Sequence, residues 1–318
     1  MADGVQLQAR TVPHPASVSQ RARDALAFMA ANPRPVRPNN TDPVAWKAAT
    51  AAADANIVAM LAPRCEGFDL ERDEITLGGV PTYVSRPPAA PSDRVYLDIH
   101  GGGLTSGGGE ACRLMGLLAA KRSGALTYSV DYRMPPDHPY PAALDDCMAA
   151  YRALLEQFEP GHIVVGGASA GGNLAAALGL RARDEGLPAP AGLVLLTPEV
   201  DLTESGDSFE TNRFVDVMLP RGLPGANALY AGGHDLADPY LSPLFGDFTK
   251  GYPRTFLQAG TRDLFLSNTV RMHRALLKAG IPVELHIFEG MPHGGFGGAP
   301  EDEDLDQAVQ NFVASCWH

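Results

Sequence analysis

His162-Ile163-Val164-Val165-Gly166-Gly167-Ala168-Ser169-Ala170-Gly171-Gly172-Asn173 is the stretch around which the chain is organised. Residues 163–165 form a β-branched run of the kind that fills a strand buried on both faces, and the following Leu174-Ala175-Ala176-Ala177-Leu178 is helix-forming. A strand that turns at once into a helix must bend sharply. Gly167 and Gly171, flanking Ser169 in a G-x-S-x-G, remove the Cβ atoms that would collide in such a bend. The pattern therefore predicts a Ser169 hydroxyl presented at a helix N-terminus. A glycine-rich turn with a serine cap would read the same way, so the assignment depends on the surroundings.

Outward from this bend, residues 95–99, 125–130, 192–196, 255–259 and 283–288 are further short strand-like runs, with helical segments between most of them. That alternation predicts a mainly parallel sheet covered by helices on both faces. Ahead of it, two extended segments within 66–86 flank Gly78-Gly79, a turn pair suited to an antiparallel hairpin. Two helices precede the sheet. The first follows the S-x-x-Q spacing of Ser17 to Gln20, and the second starts at Asp42-Pro43 and runs to about Leu61. The interval from about Leu202 to Gly251 is rich in Gly and Pro and too long to be slack between core strands, which marks it as a functional insertion. Acids at 301–304 precede a helical pattern and complement its dipole.

With 45% apolar and 19% charged residues, 318 positions suffice for one elaborated α/β domain or two domains. Twenty-five basic against 37 acidic residues leave a net charge of −12, which argues against nucleic acid as a partner. Cys65, Cys112, Cys147 and Cys316 are widely spaced, without C-x-x-C or histidines at ligand spacing, and read as free thiols with no metal role. The first thirty residues lack a basic segment followed by an apolar one, and no apolar run reaches the roughly 18 residues of a membrane span. A cytoplasmic protein without membrane contact is the expectation.

Serine chemistry needs a base, an acid to orient it, and donors for an oxyanion. Of the histidines after Ser169, His273 sits in a helical pattern, His286 in a strand, and His318 at the end. His293, on the loop Gly290-Met291-Pro292-His293-Gly294-Gly295 after the last strand, leads as the base, with His234 in reserve. Asp263 follows the preceding strand by a few residues and leads as the acid, ahead of Glu199 and Asp201, because the Asp263 and His293 loops are neighbours. Asp263 also suits a helix N-cap. The N–H of Ala170 and the glycine loop His100-Gly101-Gly102-Gly103 after the 95–99 strand supply candidate oxyanion donors. No phosphate-binding G-x-x-x-x-G-K is present, and no cofactor is implied.

With these residues assembled, the sequence resembles the hormone-sensitive-lipase-like (bacterial family IV) carboxylesterases of the α/β-hydrolase superfamily, over about Val80 to Phe312. The resemblance lies in H-G-G-G at 100–103, D-Y-R-M-P-P-D-H-P-Y-P-A-A at 131–143, G-x-S-A-G-G at 167–172, and the Asp263 and His293 segments in order. It implies an α/β-hydrolase fold with a helical cap and a triad of Ser169, Asp263 and His293. It also implies an oxyanion hole of the Gly102, Gly103 and Ala170 amides. The corresponding division is 1–62 as cap helices, 63–201 and 233–318 as the hydrolase core, and 202–232 as the cap insertion. The expected activity is hydrolysis of short- to medium-chain esters or lactones through an acyl-enzyme, by a homodimer. Segment 131–143 resembles a structural support for the H-G-G-G loop. Ala168 and Glu199 depart from the family: a carboxylate at 199 stands where relatives often carry an aromatic residue, and it would alter substrate preference if it faced the pocket. A non-catalytic receptor, dehydratase or acyltransferase on the same scaffold are the alternatives, and the presence of all three triad residues favours the esterase.

Overall fold

The computed structural model describes residues 4–6, 8–40 and 42–317. Eight strands form one sheet: β1 (Glu71–Leu77), β2 (Val80–Arg86), β3 (Val95–Ile99), β4 (Leu126–Val130), β5 (Ile163–Ala168), β6 (Gly192–Leu196), β7 (Thr255–Gly260) and β8 (Val283–Phe288). Their order is β1-β2-β4-β3-β5-β6-β7-β8. β1 and β2 form the hairpin closed by Gly78-Gly79, both at positive φ, and β2 pairs antiparallel with β4. From β4 through β8 every pairing is parallel.

Helices cover both faces, as the near-continuous apolar strands require. They are α1 (Gln20–Ala31), α2 (Pro43–Cys65), α3 (Glu110–Ser123), α4 (Ala142–Leu155), α5 (Ala170–Asp184), α6 (Ser208–Thr211), α7 (Pro224–Ala231), α8 (Leu266–Lys278) and α9 (Pro300–Cys316). Side chains alternate along the strands. Leu97, Val165, Leu193 and Leu257 meet α4, α5 and α8, whereas Tyr96, Val164, Val194 and Phe256 meet α9. No helix of the described residues is long and apolar enough to cross a membrane.

The two leading helices diverge. α1 packs Ala22 and Leu26 against Met291, Phe296 and Ala299, beside the end of the sheet. Its cap is Ser19, not Ser17: the Ser19 hydroxyl accepts the Ala22 N–H, and Glu301 takes the Ser19 N–H and hydroxyl, a long-range partner no local spacing could reveal. α2 begins as expected, with Asp42 accepting the Val44 N–H and Pro43 at its first position. It continues past Leu61 to Cys65 because Leu61 and Cys65 pack on Leu114 and Leu117 of α3. Trp46 of α2 is buried against Ala226 and Leu229 of α7, which joins the leading segment to the insertion. Parallel strands bring the loops after β3, β5, β6, β7 and β8 to one edge, where their chemistry converges.

Candidate active site

Ser169 sits in the bend between β5 and α5 with φ 57° and ψ −120°, a strained conformation for a non-glycine residue. The strain holds because the neighbours leave no alternative. The Ser169 N–H donates to Leu196 O at 2.9 Å, its carbonyl accepts the Glu199 N–H at 3.2 Å, and a Cβ on Gly167 would stand 2.5 Å from the Gly171 and Ile99 backbones. A larger residue at either flanking position would push β5, α5 and the loop after β3 apart. The consequence is a partly accessible hydroxyl above the sheet edge.

His293 Nε2 lies 2.9 Å from Ser169 Oγ, and His293 Nδ1 lies 3.0 Å from Asp263 Oδ1. With Nδ1–H donating to the carboxylate, Nε2 is left as an acceptor for the serine proton. Phe265 meets the imidazole edge-on, with centroids 4.9 Å apart. Asp263 is fully buried, and its Oδ1 also accepts the Phe265 N–H at 2.9 Å, but the N-cap position of α8 is Phe265 and receives no side-chain bond, so Asp263 braces the turn before the helix and does not cap it. Burial pulls the imidazolium of His293 down. The charge and hydrogen bond of Asp263, with the charge of Asp216, outweigh burial and the opposing Arg34, so the net shift is upward.

The loop after β3 folds back on itself through Ser106, whose hydroxyl donates to Gly102 O at 2.8 Å. Gly103 takes φ +60°, and the N–H groups of Gly102 and Gly103 have no backbone acceptor among the described residues. Ala170 begins α5, where the first N–H groups have no partner inside the helix. Supports come from several elements. Arg37 Nη1 and Nη2 each donate to Gly102 O at 3.1 Å, Asp54 accepts the Gly107 N–H at 2.6 Å, and Thr50 donates to Thr105 O at 2.8 Å. From segment 131–143, Asp131 accepts the Gly109 N–H, and Tyr132 donates to His100 O at 2.9 Å while stacking on the His100 ring. His100, Cys112 and Asp131 thereby converge with donor atoms within 4.8 Å of one another. Asp131 braces the loop through Gly109, whereas the buried Cys112 thiol donates to Ser129 O of β4 at 3.9 Å.

The remaining described candidates do not join the hydrogen-bonded path from Ser169 to Asp263. His234 packs edge-on to Tyr140, His286 stacks on Phe256, and His318 lies outside the described residues. Asp201 is tied to Thr203, Ser205 and Arg271. Glu199 is fully buried beside the nucleophile, and neither carboxyl oxygen has a hydrogen-bond partner. Burial and Glu204 push it up to about 8, against the pull of His293 and Arg37. Asp216, Asn212 and Arg37 also reach the site, and no motif in the sequence marks any of them.

Comparison with known proteins agrees with this geometry. The family described as alpha/beta hydrolase fold matches residues 96–296. An acetyl-hydrolase from Streptomyces hygroscopicus is 35% identical over 223 residues, covering 70% of this chain and 74% of that one. Among solved structures, that of an esterase E25 matches with a TM-score of 0.90 at 33% identity and covers 98% of each chain. An esterase from the bacterial hormone-sensitive lipase family matches with a TM-score of 0.81 at 28% identity, covering 95% of this chain and 98% of that one. The chain belongs to the hormone-sensitive-lipase-like (bacterial family IV) carboxylesterases of the α/β-hydrolase superfamily.

Proposed function

We propose that Ser169 is the nucleophile of this carboxylesterase, His293 its general base and Asp263 the residue that orients the imidazole. The observation that carries the reading is the unbroken path from Ser169 Oγ to His293 Nε2 at 2.9 Å and from Nδ1 to Asp263 at 3.0 Å. As Ser169 attacks the ester carbonyl, His293 takes its proton, and the N–H groups of Gly102, Gly103 and Ala170 receive the developing oxyanion. His293 then protonates the departing alcohol. Water, activated by the same imidazole, cleaves the acyl-enzyme and restores Ser169. The same steps open a lactone ring.

Segments 1–62 and 202–232 act in this reading as the cap over the acyl pocket, supported by the packing of Trp46 on α7 and of Leu223 near Gly103. Esters of short- to medium-chain acids are the substrates this reading assigns. Four unpaired cysteines suit a reducing, cytoplasmic compartment. Self-association through α9 or the β8 edge of the sheet completes the reading, and sedimentation equilibrium tests it.

The test of the reaction is hydrolysis of p-nitrophenyl esters from acetate to dodecanoate by wild type and Ser169→Ala. Activity on the shorter esters that disappears in a folded Ser169→Ala variant supports the reading. Undiminished activity in that variant would remove it.

A further inference from the structure

We propose that Asp216 is a positioning residue for catalysis, a carboxylate of the 202–232 insertion that holds the His293 and Asp263 loops in register. The proposal rests on the Ser169–His293–Asp263 reading given above.

Asp216 is fully buried in the turn that follows α6. Its Oδ2 accepts the Leu264 N–H at 2.9 Å and the His293 N–H at 3.1 Å, so one oxygen binds the residue next to Asp263 and the backbone of His293 itself. Its Oδ1 accepts the N–H groups of Met218 at 2.9 Å and Leu219 at 3.0 Å, which fixes the carboxylate within its own turn. Four donors use the four lone-pair sites of a carboxylate, an arrangement that requires the ionised form. Two further side chains of the insertion grip the same loop. Asn212 Nδ2 donates to Thr261 O at 3.2 Å and Asp263 O at 2.8 Å, and the Ser208 hydroxyl donates to Leu264 O at 2.6 Å.

The two loops leave β7 and β8, and their roots are joined directly, by the Arg262 N–H to Met291 O at 3.2 Å and the Gly290 N–H to Thr261 Oγ1 at 2.8 Å. Farther out, at Leu264 and His293, a single Asp216 oxygen shared by both N–H groups ties them again. The His293–Asp263 hydrogen bond spans the gap between the loops, and so does the position of Nε2 over Ser169. Asp216 also acts through charge. The titratable and charged groups facing His293 are Asp263 from the loop after β7, Asp216 from the insertion, Glu199 from the loop after β6, and Arg34 from the connector before α2. Asp216 stabilises the imidazolium that forms as Ser169 attacks. The insertion thus takes part in the reaction as well as covering the pocket.

The test compares Asp216→Asn and Asp216→Glu with wild type and Ser169→Ala, on p-nitrophenyl butyrate from pH 5 to 10, with melting followed by circular dichroism. Asp216→Asn retains one acceptor oxygen and loses the charge. Its kcat is expected to fall about 10- to 100-fold with KM within about threefold of wild type. The acid limb of its kcat/KM moves to lower pH, because the imidazolium has lost a stabilising charge. Asp216→Glu keeps the charge but displaces the carboxylate, so its kcat falls while the limb stays, and it supplies the test if the Asn variant melts below the assay temperature. A folded Asp216→Asn enzyme with wild-type kcat and an unmoved limb would overturn the proposal, as would losses in both variants that vanish when assayed well below their melting temperatures. Parallel inactivity of Ser169→Ala separates that failure from failure of the triad reading, in which Ser169→Ala would remain active.

Discussion

Gly171 is packed so tightly against Ile99 that a Cβ on the glycine would overlap the Ile99 carbonyl oxygen and stand 2.8 Å from that of His100. The first turn of α5 and the root of the glycine loop thus share one contact, and Ser169 and the Gly102 amide move together. Gly171→Ala is expected to destabilise the fold by roughly 1–3 kcal/mol through overpacking and to lose most ester hydrolysis. Melting and activity measured on one preparation check this, and an alanine variant with wild-type values of both would refute the shared contact.

Asp263→Asn keeps the size of the side chain and removes the charge that orients His293 Nδ1–H. In serine hydrolases of this design such a change allows the wrong tautomer, and kcat is expected to fall about 10⁴-fold with little change in KM. Steady-state kinetics of the folded variant decide it. A loss below about tenfold would assign the orienting role to another group.

In the proposed mechanism the acid limb of the pH–rate profile reports His293, which must be neutral to accept the Ser169 proton. Burial lowers its affinity for the proton, but Asp263 and Asp216 raise it further, and the net direction is above the ordinary 6.5. Activity should therefore rise with pH through a limb lying above 6.5, the ordinary imidazole value. Initial rates at subsaturating ester over pH 5 to 10 measure it. A limb below the ordinary value would contradict the electrostatics of the site.

Glu199 makes stability depend on pH. Burial, followed by Glu204, raises its folded value to about 8 from an ordinary 4.5, so the folded chain holds this proton more tightly than the unfolded chain. Its contribution is fully present below the ordinary value and is lost as pH rises toward about 8. Glu199→Gln removes the titration while keeping the shape. The difference in melting temperature between Glu199→Gln and wild type should grow in favour of the glutamine from pH 5 to 8, and a constant difference would mean that Glu199 is ionised throughout.

Much of this architecture was legible in the sequence because its signals are local. The β-branched runs and the helical stripes between them predict the parallel sheet, and Gly167-Ala168-Ser169-Ala170-Gly171 predicts the bend because only glycine tolerates its crowding. Ser169, His293 and Asp263 could be chosen by chain order and by position at one sheet edge, and the structure brings these three within hydrogen-bond reach. What the sequence did not mark are contacts between a side chain and distant backbone. Asp216 binds N–H groups that every residue possesses, so no partner type or spacing betrays it. Arg37 reaches Gly102 O from an irregular connector, and Ser19 is capped by Glu301 across 282 positions of chain. The burial of Glu199 beside Ser169 is likewise a tertiary contact, which composition does not encode.

The most direct test of the central role given to Ser169 is titration of the enzyme with a p-nitrophenyl phosphonate ester, followed by peptide mass mapping. One p-nitrophenolate released per active site, one adduct on the peptide bearing Ser169, and esterase activity lost in proportion are the predicted results. Full labelling at another residue, or ester hydrolysis that survives complete modification of Ser169, would contradict it.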